Sequence, residues 1–105
     1  MQAIENLTRL RGRVVARQPH PQREGYELLT MHVDEAEPVV NKADLLSQHR
    51  GQELAVAVRS ELLPGTAVGP GAYVDLRAKM TSNGALAEPH PEAGNFKYEP
   101  GPQPL

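Results

Sequence analysis

The chain has 105 residues, with 11 Lys or Arg against 13 Asp or Glu and a net charge of −2, enough for one domain with a single modest core. It contains no Cys, which excludes a disulfide framework and thiolate chemistry, and its near-neutral balance excludes the strongly basic make-up of a dedicated duplex-DNA binder. Three Tyr, one Phe and no Trp leave the core to Leu, Val, Ala and Met, while ten Pro and nine Gly break the chain too often for long helices.

Leu10 to Arg17 reads as the first strand. Leu10, Gly12, Val14 and Ala16 alternate with Arg11, Arg13, Val15 and Arg17, and Arg9 extends the second set. Gly12 inside the strand predicts a bulge or sharp bend. Pro19 to Gly25 is an exposed loop. Tyr26 to Asp34 resumes as a strand, with Leu29, Met31 and Val33 on one face and Tyr26, Leu28, Thr30, His32 and Asp34 on the other. Pro38 ends it, having no N–H for a ladder.

Lys42 to Arg50 carries the one helix signal, with Asn41 as its cap, Asp44 in the first turn and Gly51 as its stop. From Glu53 to Met80 two alternating runs flank a turn-rich loop. Leu54, Val56 and Val58 define one apolar face, and Val74, Leu76, Ala78 and Met80 the next, with Tyr73, Asp75, Arg77 and Lys79 opposite. The two runs read as an antiparallel pair. Ser82-Asn83-Gly84 predicts a tight hairpin with positive φ at Asn and Gly, returning Ala85 to Glu88 as a fifth strand. Gly94 to Tyr98 adds a last short strand with Phe96 and Tyr98 on one side. One domain is expected over residues 1–98, followed by a disordered Pro-rich tail over 99–105.

The expected class is therefore mainly β, a small five-stranded barrel with one short helix. The residues Gly12-Arg13-Val14-Val15 and Val68-Gly69-Pro70-Gly71-Ala72-Tyr73-Val74-Asp75-Leu76 resemble the oligonucleotide/oligosaccharide-binding (OB) fold. An OB-fold usually carries its helix between the third and fourth strands, whereas segment 42–50 falls between the second and third.

That resemblance implies binding of single-stranded nucleic acid, with DNA favoured over RNA. Arg9, Arg11, Arg13 and Arg17 occupy odd positions, so an unbroken strand projects all four from one face, where they would track phosphates. The plainer reading of such a stripe is a solvated, aggregation-resistant strand face, and Gly12 is placed to split it. Tyr26, Tyr73, Phe96 and Tyr98 are candidate stacking platforms, with core or hairpin packing the plainer role for at least half of them, and Tyr73 beside Arg77 and Lys79 is the leading combination. The charge is uneven: five arginines and no acid from Arg9 to Arg23, then four acids and no Lys or Arg from Glu27 to Glu37.

His20, His32, His49 and His90 lack the spacing of a metal motif, and Ser60 and Ser82 lack a nucleophile context, so neither an enzyme nor a cofactor or metal is expected. The competing reading is a protein-interaction or assembly module, a homodimer among its forms, using an exposed strand edge or the acidic corner Asp34 to Glu37. No apolar run reaches membrane-spanning length and the first residues lack a secretion signal, so a soluble cytoplasmic protein without a membrane partner is expected.

Overall fold

The computed structural model describes residues 5–101. Its strands are β1 (Thr8–Pro19), β2 (Tyr26–Pro38), β3 (Glu53–Arg59), β4 (Tyr73–Thr81), β5 (Gly84–Ala87) and β6 (Phe96–Glu99), with 3-10 turns at Ser47–His49 and Ser60–Leu62. The sheet runs β1-β2-β3-β5-β4-β6, and β1 also pairs with β4. The first five strands thus close into a barrel, and β6 stands outside it on β4. Every pairing is antiparallel except β3 with β5, which is parallel.

This circuit corrects one expectation: β3 and β4 are not partners. The tight turn at 82–83 lays β5 along the edge of β4 nearest β3, with Lys79 opposite Leu86, and β5 then meets β3 at Val56↔Ala85 and Ala57↔Leu86. The local hairpin forms at low loop-closure cost, whereas the long loop from residue 60 to 72 holds β3 and β4 apart. The turn itself also differs from expectation, since Gly84 has a positive φ of 108° but Asn83 does not. The Thr81 hydroxyl accepts the Asn83 N–H (3.1 Å) and donates to the Gly84 carbonyl (2.8 Å), closing the turn instead.

The alternation seen in the sequence becomes the barrel interior. Leu10, Val14, Leu29, Met31, Val33, Val56, Val58, Val74, Leu76 and Ala78 are all buried there. Leu63, Val68 and Ala72, from the loop between β3 and β4, are buried in the same cluster, as is Leu46. With so few aromatic rings, these loop residues supply volume that the strands lack. The Asn6 side chain exchanges two hydrogen bonds with the backbone of Met80, extending the β1–β4 ladder beyond Thr8↔Ala78.

Two register shifts shape β1. The first falls between Arg11 and Gly12, where Asp34 is the extra residue on β2. Gly12 is required there because an added Cβ would lie 1.8 Å from the His32 carbonyl oxygen. The second falls between Val14 and Ala16, leaving Val15 as the extra residue on β1. Beyond it the faces exchange. Ala16 now opposes the outward Thr30, and Arg17 opposes the inward Leu29.

The helix expected over Lys42 to Arg50 contracts to the single turn Ser47–His49. Leu46 is its N-cap, and just before it the Asp44 carboxylate accepts the N–H groups of Leu46 (3.4 Å) and Ser47 (3.1 Å) and the hydroxyl of buried Thr8 (2.8 Å). Asn41 instead turns the chain in the left-handed region at φ 66°. At the other end, Glu99 belongs to β6, and Gly101 lies against the backbone of Gly71 and Ala72. The rest of the expected tail, 102–105, lies outside the described residues.

Candidate nucleic-acid interface

The arginine stripe and the β4 candidates meet on one outward surface. Arg9 stands opposite Arg77, Arg11 opposite Asp75 and Arg13 opposite Tyr73. Carboxylates interleave with the cations there. Asp75 bridges Arg9 (2.9 Å) and Arg11 (3.1 Å), Arg11 also reaches Glu35 (2.9 Å) and Glu37 (3.0 Å), and Arg77 takes both oxygens of Glu88 (2.7 and 2.6 Å). Glu35 and Asp75 raise the Arg11 pKa by accepting its hydrogen bonds. Burial, followed by the charges of Asp34 and Glu35, holds the Tyr73 hydroxyl above its ordinary range. A phosphate arriving here must displace carboxylates already in bidentate or shared contact, which are strong competitors. Among the described residues, Arg13 and Lys79 are the members of this surface with no ion-pair partner.

Arg17 does not share the face of the other three arginines. The bulge at Val15 turns it to the interior side of the sheet, where it binds both oxygens of Glu27 (2.7 and 2.9 Å). It also donates to the carbonyls of Leu63 (3.2 Å), Gly65 (3.0 Å) and Val68 (3.3 Å). Its hydrogen bond to Glu27 is the main cause that depresses the Glu27 pKa. Arg17 therefore ties the long loop to the barrel, and all of its directed bonds are intramolecular.

Tyr26 lies apart from both groups, at the start of β2 beside Arg59 of β3. The Arg23 guanidinium stacks over its ring at 4.9 Å from the centroid. Here the loop between β1 and β2 approaches the 82–83 turn across the outer face of β3 and β5. The two enclose a cleft of about 230 Å³ lined by His20, Gln22, Arg23, Ala57, Thr81, Asn83 and Leu86, with no carboxylate among the described residues of its wall. Ala57 and Leu86 form its apolar floor, and Leu28 continues the same row on β2 through the register Leu28↔Ala57↔Leu86. Arg59, next to Tyr26, donates to the Pro89 carbonyl (2.9 Å) and contacts His90 Nδ1 (3.0 Å) and Glu61 (2.8 Å).

The sequence marked Tyr26 but not His20, Arg23, Asn83 or the Ala57–Leu86 floor as parts of a binding surface. Two local signals pointed to them: an arginine three residues before a tyrosine in a loop, and the Asn-Gly turn. The meeting of the two loops depends on the β3–β5 pairing, which no local pattern reveals. Among the described residues no group of three or more His, Asp or Glu is arranged to hold a metal ion. Comparison with models of protein families, with curated proteins and with solved structures finds no match, so the functional reading rests on this geometry.

Proposed function

We propose that this protein is an OB-like barrel that binds single-stranded nucleic acid, and that its interface is the β2–β3–β5 face rather than the arginine stripe. The observation that carries the proposal is the cleft between the β1–β2 loop and the 82–83 turn, with no carboxylate among the described residues of its wall, floored by Ala57 and Leu86 and flanked by Arg23, which stands over Tyr26. The five-stranded barrel with its out-of-sequence β3–β5 pair resembles the OB-fold, whose strand 2–3 face and flanking loops are its oligonucleotide site. The buried Leu63 and Val68 fill the barrel from the segment between the third and fourth strands, where an OB-fold usually places its helix.

The chemistry suits unpaired bases. A tyrosine ring and a guanidinium plane both offer stacking surfaces, worth about 1–3 kcal/mol per base, and Arg23 adds a charge for the backbone. Duplex binding is disfavoured, because a net charge of −2 and a compensated arginine surface supply little counterion release.

The test is fluorescence anisotropy of a labelled thirty-nucleotide single strand titrated at low and moderate salt. Arg23→Glu and Tyr26→Ala should each weaken binding at least tenfold, while the pair Arg11→Glu, Arg13→Glu should weaken it less than threefold. No binding by the parent chain at low salt removes the nucleic-acid reading. Strong loss in the Arg11, Arg13 variant alone moves the site back to the stripe.

A further inference from the structure

β6 ends the sheet with an open edge. It pairs with β4 on one side, from Leu76↔Phe96 to Tyr73↔Glu99, and among the described residues no strand lies on the other. Such an edge is a template for strand addition unless side chains protect it. The strand is short, Pro100 follows it, and Lys97 stands on it, all features that deter an arbitrary partner. A lysine on an edge deters only strands that place no acid opposite it.

The strand itself places an acid there. Lys97 and Glu99 occupy the same face, on either side of Tyr98. Aligned antiparallel with a second copy about a two-fold axis through Tyr98, Lys97 of each copy opposes Glu99 of the other. The two Tyr98 rings then meet on the opposite face. Lys97, Tyr98 and Glu99 are all exposed, and among the described residues Tyr98 is one of three large apolar or aromatic side chains that stand out to solvent. Phe96, with its ring centroid 6.4 Å from that of Tyr98, backs it from the barrel side. Any other register sets Lys97 against Lys97, Glu99 against Glu99, or neither charge against its complement.

We infer that β6 is a self-recognition edge, through which two copies of this chain join antiparallel across Tyr98 with reciprocal Lys97–Glu99 pairs. The join extends the sheet from β4 through β6 into β6 and β4 of the second copy. Four residues per partner bury far less than the roughly 1,200 Å² of a standard stable interface. The dimer is accordingly weak and concentration-dependent, forming between about 0.1 and 1 mM. It is independent of the nucleic-acid reading.

The test is sedimentation equilibrium from 10 μM to 1 mM without nucleic acid, with circular dichroism as a check that each variant folds. The parent mass should rise with concentration from 11.5 kDa towards twice that value. Lys97→Glu alone and Glu99→Lys alone should each weaken association at least tenfold, because like charges then face each other across the axis. An equimolar mixture of the two single variants should recover it, since one carries two acids and the other two lysines. The double exchange Lys97→Glu, Glu99→Lys should recover it too. A parent chain that stays at one mass up to 1 mM overturns the inference. So does association that survives either single reversal, or a mixture that does not recover.

Discussion

Replacing Gly12 by alanine adds one methyl group where β1 lies directly against the β2 backbone. The new Cβ would sit 1.8 Å from the His32 carbonyl oxygen, 2.9 Å from its carbon and 3.1 Å from the Met31 methyl. Carbon contacts essentially never fall below 3.0 Å, so the strands must part by at least 1.2 Å at this point. The obstacle is backbone, which no rotamer change can move. Parting the strands loosens the ladder at Arg13↔His32 and Gly12↔Val33, at about 1 kcal/mol for each hydrogen bond weakened. It also disturbs the packing of Met31 beneath, at about 1–3 kcal/mol. The total is about 3–5 kcal/mol, against a stability of about 5–15 kcal/mol for a domain of this size. Urea unfolding followed by circular dichroism measures it, with Gly51→Ala as the control. Gly51 has a φ of 83° but nothing within 4 Å of an added Cβ, so its change isolates backbone strain at about 1–2 kcal/mol. A Gly12→Ala loss no larger than that of the control would refute the close-approach argument.

Further outcomes follow from the charge arrangement. Arg17→Met should cost about 2 kcal/mol, below the range for breaking a fully buried pair because Arg17 and Glu27 keep 18% and 17% of their exposure; proteolysis should then cut the loop over 63–70 first. The depressed Glu27 pKa means that its pairing stabilises the fold fully above the ordinary glutamate value of about 4.3 and loses that contribution as the pH falls through the lowered folded-state value. The stability gap between the parent and Glu27→Gln, read from urea midpoints at several pH values, should therefore be constant near neutrality and close in acid. A gap that widens in acid contradicts the sign. Asp75→Asn removes the acid shared by Arg9 and Arg11 and should cost about 1 kcal/mol, while steepening the salt dependence of single-strand binding by about 0.7 for each arginine released to a phosphate. An unchanged salt slope would show that the stripe stays closed to phosphates even when its central carboxylate is gone.

The parts of the fold legible in the sequence were those governed by neighbours in the chain. Alternation at Leu29, Met31 and Val33 and at Val74, Leu76 and Ala78 marked core faces, because side-chain direction in a strand has period two. Gly12 announced its bulge for the same local reason. Pairing was harder to read. The insertion of β5 between β3 and β4 is a long-range choice, and it alone brings the β1–β2 loop over Ala57 beside Asn83. The extra residue at Val15 was equally hidden, since nothing in Val14-Val15-Ala16 distinguishes a bulge from continued alternation. That one residue removes Arg17 from the stripe and turns a candidate phosphate contact into a loop anchor.

The two charged surfaces of this barrel show why a count of arginines is a poor guide to binding. Arg9, Arg11 and Arg77 look basic in sequence because their acids, Asp75, Glu35, Glu37 and Glu88, lie on other strands or further along the chain. Closing the barrel brings them together and spends that charge within the molecule. Arg23 carries less charge than the stripe, yet its guanidinium carbon lies over the Tyr26 ring, and the adjoining cleft has no acid among the described residues of its wall. A polyanion responds to the charge left uncompensated and to surfaces on which its bases can stack. Among the described residues Arg13 and Lys79 stay unpaired on the stripe, yet they share their surface with Asp75, Glu35, Glu37 and Glu88, whereas the described wall of the cleft holds no acid; the stripe is better understood as the ion-pair lattice that joins β1, β2 and β4.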